Sequence, residues 1–156
     1  HLSLSLLTSF REEAQAATSD TMAEYLAKAN ILLINEHLED AISIYGKALE
    51  QDGQLLDALT GRAAANLLTG QMRAALQDSI KAIAVDTNCE VAYYRKGVAA
   101  FHLEEYETAQ EAFQKGQELY QPSGSDQRKY KTWLRKCEAE LEESDEEGEE
   151  EAAAAA

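Results

Sequence analysis

Few side chains in this sequence could carry bond-making chemistry, and they are scattered. His1, His37 and His102 are its three histidines, and Cys89 and Cys137 its two cysteines. A metal site needs such ligands clustered at short spacing, and neither cysteine has a partner at one, so no metal or other cofactor is expected. Nucleophilic catalysis needs a base and an orienting group beside a serine or cysteine, and no sequence signature places them there. Carboxylate pairs are frequent only because glutamate is frequent. Cys89 reads as a small loop-side residue and Cys137 as a buried core thiol. An enzyme is not expected. What remains is a binding surface, and the question becomes which elements present it.

Small residues mark those elements. In "AYYRKGVAAFHLEEYETAQEAFQKGQELY", residues 92–120, Gly97, Ala109 and Gly116 alternate with Tyr93, Tyr106 and Phe113. Small side chains at helical spacing let a second backbone approach, so the stretch reads as two helices packed face to face. The pattern recurs. A shift of 34 residues aligns Ala41, Ala75 and Ala109, then Ala48, Ala82 and Gly116, then Ala29, Ala63 and Gly97. Tyr25, Leu59 and Tyr93 keep the same register, as do Tyr45, Ser79 and Phe113. This period, with its ordered small and large columns, reads as three tetratricopeptide repeats, each a pair of antiparallel helices. Gly53 and Thr87 stand where the repeat usually closes with proline, and Ser79 replaces an aromatic, which predicts a slightly looser second repeat.

Turn residues at 35–37, 52–54, 69–71 and 86–88 place helices near 22–35, 38–51, 56–69, 72–85, 90–103 and 106–120. After "QPSGSD", Ser125 or Asp126 can cap a seventh helix with Tyr130, Trp133, Leu134, Cys137 and Leu141 on one face. A repeat stack exposes its last apolar face, so this helix should cover it, with Trp133 as an anchor rather than a ligand-binding aromatic. The single proline and the lack of alternating runs argue against a sheet. The expected fold is all-α: repeats at 22–55, 56–89 and 90–123, then a capping helix at about 126–143. Residues 1–21 match no repeat and read as a poorly structured lead or tag. "LSLSLL" is too short to span a membrane and lacks a basic region before it.

The net charge of −15 is unevenly placed. From Glu138 onward there are ten acidic residues and no basic one, which leaves 19 acids against 14 bases, about −5, for the rest. Residues 144–156 are too acidic and too poor in bulky apolar groups to build a core, and disorder is expected past about Glu143. The plain reading is a solvated linker; the sharper one is a dock for a basic partner. The folded part has no basic excess, which disfavours nucleic acid. Two cysteines are too few for a disulfide framework and fit a reducing compartment.

The first helix of each repeat lines the concave face. Projected onto it are Leu26, Asn30 and Leu33; then Asp57, Gly61, Ala64 and Leu67; then Val91, Tyr94, Arg95, Val98, Phe101 and His102. Asn30, Leu33, Asp57, Tyr94, Arg95, Val98, Phe101 and His102 are the candidate partner-binding residues. Chaperone adaptors with similar repeats grip a C-terminal carboxylate with two lysines, two asparagines and an arginine. Here Asn30 and Arg95 match that clamp, while Leu26, Gly61 and Val91 replace lysine, asparagine and lysine. Charge-assisted bonds give such a clamp its strength, so little affinity for an acidic tail is expected. The bland alternative for Arg95 is a solvated residue or an internal ion pair. For Tyr94, Val98 and Phe101 it is burial by the capping helix or neighbouring helices.

"YRKGVAAFHLEEYETAQEAFQKGQEL", "LEDAISIYGKALEQD" and "KTWLRKCEAELEE" together resemble the tetratricopeptide domain of the SGT-one co-chaperones (suppressor of the G-two allele of SKP-one), over about residues 22–143. The resemblance implies an adaptor between the HSP ninety chaperone and SKP-one of the SCF ubiquitin ligases, with roles in kinetochore assembly and plant immunity, in cytoplasm and nucleus. It implies that the repeats bind SKP-one or self-associate as a homodimer. HSP ninety would be reached through a CS domain absent from these residues. The alternative is a carboxylate-clamp receptor for chaperone C-terminal peptides.

Overall fold

The computed structural model describes residues 20–120 and 127–156. Of the lead expected at 1–21, residues 1–19 lie outside them, as do the cap residues expected at Ser125 or Asp126, while Thr21 already belongs to the start of the first helix. The described residues form seven helices and no strand: α1 Met22–Ile34, α2 Leu38–Gln51, α3 Leu56–Leu68, α4 Met72–Val85, α5 Glu90–His102, α6 Tyr106–Leu119 and α7 Arg128–Ala154. Consecutive helices pack as hairpins, and each hairpin packs on the next. The first helices of neighbouring repeats, α1 with α3 and α3 with α5, also touch one another, which puts them on the inner side of the stack.

Local sequence sets the boundaries. Thr21 and Glu24 form a capping box at the start of α1, each side chain satisfying the other's backbone N–H. Within each repeat the turn uses one left-handed residue, at Glu36, Gly70 and Glu104, again 34 apart. The N–H after it reaches back over the helix end, as in His37 to the Leu32 carbonyl, Gln71 to Asn66 and Glu105 to Ala100. Between repeats, Asp52 and Asp86 accept from the N–H of Gln54 and Asn88, both at 2.9 Å. These Asx turns redirect the chain without the missing proline.

The small columns are fully buried at Ala29, Ala41, Ala48, Ala63, Ala75, Ala82 and Ala109. A Cβ at Gly97 would stand 2.6 Å from the Phe113 ring, and one at Gly116 would stand 2.8 Å from Tyr130, so bulk is excluded where a ring already lies against backbone. In the second repeat Ser79 is buried and its hydroxyl donates to the Ala75 carbonyl at 2.8 Å. Beside it, Arg62 holds the buried Asp78 with two bonds of 2.8 Å, and Asn66 adds a longer one. A bidentate ion pair thus ties α3 to α4 in the repeat that lacks the ring.

α7 differs from expectation at its C-terminal end. Gln127 occupies its N-cap position and makes no side-chain capping bond. The helix then runs to Ala154, through the acidic stretch expected to be disordered. Tyr130 and Cys137 are buried, Trp133, Leu134 and Leu141 half-buried, and everything from Glu142 on is exposed. Low apolar content rules out a core there, not a helix. Glu and Ala have high helix propensity, and a helix already anchored at Tyr130 and Cys137 extends without a new nucleus. Removing residues 144–156 is therefore expected to change unfolding free energy by less than about 0.5 kcal/mol. A clear loss of stability in urea melts would show that the tail packs.

Candidate functional site: the groove of the first helices

The groove floor is polar at one place. Tyr45, from α2, is wholly buried, and its hydroxyl donates to the Asn30 side-chain oxygen at 2.6 Å. Burial raises its pKa, opposed by the nearby Arg95 cation and reinforced by Asp57. Arg95 is half-buried and donates through Nη1 to the Thr60 carbonyl, 2.6 Å away, bridging α5 to α3. Its pKa is lowered by burial, with Cys89, Tyr45 and Glu90 acting the other way. Both retained clamp residues are thus engaged within the domain.

Gly61 shows why the clamp cannot be completed. A Cβ there would stand 2.4 Å from the Tyr45 ring, so the space for an asparagine side chain is already filled. Tyr45 lies against Gly61 of the next first helix, and one repeat on in the 34-residue register the same two positions hold Ser79 and Arg95. Sequence reasoning missed Tyr45 because it compared equivalent positions of different repeats and not the second helix of one repeat with the first helix of the next. The reciprocal sizes at spacing 16 were the signal.

At the third repeat the structure corrects the expectation of an open apolar patch. Tyr94, Val98 and Phe101 pack against the core beneath α7 together with Trp133 and Leu134. Trp133 donates its indole N–H to the Tyr94 hydroxyl at 3.2 Å, lies 5.2 Å from Phe101 and stacks on Phe113 at 5.3 Å. Periodicity gave each of these faces its apolar character without showing that they cover each other. His102 remains exposed, with its ring 6.1 Å from Trp133. Asp57 and Asn30 are also exposed, and Leu33 is half-buried against the first-repeat core.

Two further features were not foreseen. Glu90 accepts from Lys129 at 2.9 Å and from the Tyr130 hydroxyl, fastening α7 to α5. Burial first, and the bond to Glu90 second, push the Tyr130 phenol well above its ordinary pKa. One step back from His102 in the 34-residue register stand Leu68 and then Ile34, 67% and 79% exposed. Ile31, on the same helix as Ile34, is 59% exposed, so the first helices of the first two repeats carry exposed apolar side chains. Among the described residues no group of His, Cys, Asp and Glu could hold a metal ion, and no helix is long and apolar enough to cross a membrane.

Three helix hairpins of 34 residues, a closing helix and an inner groove of first helices define a tetratricopeptide-repeat domain, and that family's pattern matches residues 91–122. Proteins this chain is similar to include SGT1 homologs, an Hsp70-Hsp90 organizing protein of Arabidopsis thaliana and the co-chaperone sgt12 of Aspergillus fumigatus. The SGT1 homolog of Oryza sativa is 35% identical over 103 residues, 66% of this chain and 27% of that protein. The human SGT1 homolog is 31% identical over 106 residues, 68% of this chain and 29% of that one. Each of these curated relatives is thus spanned over less than a third of its length. The solved Sgt2 tetratricopeptide domain of Aspergillus fumigatus superposes with a TM-score of 0.71 at 29% identity, covering 82% of this chain and 83% of that one.

Gly61→Asn, which restores the clamp residue in name, is expected to cost about 1–3 kcal/mol by overpacking against Tyr45 and to create no affinity for an acidic peptide. Adding Tyr45→Ser, the size found at Ser79, should recover part of the loss in denaturant melts. A second expectation concerns alkaline pH. The folded state keeps Tyr130 protonated after unfolded tyrosine begins to ionise at its ordinary pKa of 10.0. Stability is then fully present below that pH and falls above it, by up to about 1.4 kcal/mol per pH unit for this group. Tyr130→Phe should flatten the decline but not abolish it, since Tyr45 is shifted the same way. An unchanged slope would show that Tyr130 titrates normally.

Proposed function

We propose that this chain is the protein-interaction domain of an SGT1-type co-chaperone and binds a folded partner rather than an acidic chaperone tail. The observation that carries this reading is the Tyr45 ring lying on Gly61, where the clamp would need an asparagine. Leu26 and Val91 supply no cation, and Arg95 is turned to the Thr60 carbonyl. The exposed apolar side chains of Ile31, Ile34 and Leu68 offer instead the kind of area a folded protein covers. SKP-one of the SCF ubiquitin ligases is the partner we assign, or a second copy of the domain, in cytoplasm and nucleus. HSP ninety is then engaged through a CS domain outside these residues.

The competing reading, a receptor for chaperone C-terminal peptides, draws on the first tetratricopeptide domain of Spaghetti (RPAP3), solved bound to the HSP90 peptide SRMEEVD. That domain superposes with a TM-score of 0.70 at 25% identity over 77% of this chain and 92% of that one. Calorimetry with SRMEEVD beside a pull-down of SKP-one separates the two. SKP-one should be retained by the domain and released by Ile34→Asp with Leu68→Asp, with the circular-dichroism spectrum unchanged, and the peptide should give no saturable heat. Peptide binding that Arg95→Ala abolishes, with SKP-one passing through, would reverse the assignment.

A further inference from the structure

Lys129 occupies the first turn of α7, and its ammonium sits where three rings converge. Nζ is 4.6 Å from the centre of the Tyr94 ring, 4.8 Å from Tyr120 and 4.9 Å from Tyr130. The Glu90 carboxylate closes another side at 2.9 Å. One cation therefore joins the start of α5, the end of α6 and the start of α7. The helix itself does not explain it: the first turn of α7 carries no acid, and a cation at a helix N-terminus is electrostatically disfavoured. Ring faces backed by a carboxylate are a setting that binds ammonium groups, and here the chain supplies both cage and occupant. The Lys129 side chain is still 37% exposed, so the cage lies at the surface and not in the core.

We propose that Lys129 is a modification site at which acylation of Nζ frees the start of α7 from α5, while methylation leaves it docked. In acylation the lysine nitrogen attacks the carbonyl carbon of a thioester donor: a C–N bond forms and the C–S bond breaks. The thiol leaves with one proton and a second goes to solvent. The product is a neutral amide, with no ion pair to Glu90 and no cation for the rings. In methylation a sulfonium donor gives up its methyl group to nitrogen, a neutral thioether leaves and one proton goes to solvent. The charge stays, on a larger and less hydrated cation that suits ring faces. Acylation thus removes the ion pair to Glu90 and the cation from the three rings, and leaves the Tyr130 bond to Glu90 and the packing of Trp133 in place. The cover over Tyr94 loosens without the stack unfolding. This inference uses no partner and is independent of the reading of the groove.

Acetyl-lysine and methyl-lysine encoded at position 129 of the full chain test it. Trp133 is the sole tryptophan, so its fluorescence reports this junction alone. Acetylation should shift that emission to longer wavelength and speed amide exchange over residues 128–137 by roughly tenfold or more, with far-UV helicity retained. Methylation should match the unmodified chain. Unchanged exchange after acetylation, or equal loosening by both groups, would overturn the proposal. Should the acetylated chain not fold, Lys129→Met against Lys129→Arg decides: only the neutral side chain should loosen α7, and equal behaviour of the two would refute the role of charge.

Discussion

Two helix backbones can come close only where neither side chain is larger than a methyl group, and this chain meets that condition at Ala41, Ala75 and Ala109 with no exposure at any of them. Everything else follows from that approach. Helices this close leave little room for a side chain opposite a ring, and Tyr45 and Phe113 lie against glycine on a facing helix. The first helices of successive repeats also touch one another, on the inner side of the stack. Dispersion across such contacts is weak atom by atom and large in sum, which makes the columns intolerant of even one added carbon.

The same constraint shapes the groove. Where the Tyr45 ring is present, the facing first helix carries Gly61 and no polar side chain; one repeat on, the corresponding positions are Ser79 and Arg95. Packing and recognition are therefore not separate choices at these positions. A clamp asparagine and a tyrosine at 45 exclude each other in one volume, and this chain holds the tyrosine, with its hydroxyl spent on Asn30. The ion pair of Arg62 and Asp78 belongs to the same exchange. It supplies, between the helices of the second repeat, a connection that the first and third obtain from a ring.

The helices were legible in the sequence because their signals repeat: a misread boundary in one repeat is corrected by the two others, and Gly70 announces the turn that Glu36 and Glu104 make without glycine. The site was less legible. Periodicity assigns Tyr94 and Phe101 to an apolar face but says nothing about what covers it, although Trp133 and Leu134 on α7 needed such a face. Tyr45 was missed because its role spans two repeats, and Lys129 because a cage of Tyr94, Tyr120 and Tyr130 joins residues from three helices. The acidic end of α7 was misread for another reason. Composition reports whether a segment can bury itself, whereas helix continuation depends on what the segment is attached to.

The length of α7 also bears on how quickly anything meets this domain. Beyond Cys137, its last buried residue, the helix continues for about 25 Å. It holds there the ten carboxylates that follow. Fixed along a rod, these charges project a negative field that a collapsed chain would spread. A basic molecule is drawn toward such a rod before contact, and an acidic one is turned away. Encounter with an acidic protein should then be slow in dilute buffer and faster in salt, once the Debye length falls to about 8 Å near physiological ionic strength. Ionic strength would thus choose among partners at the encounter step, before any side chain in the groove is touched.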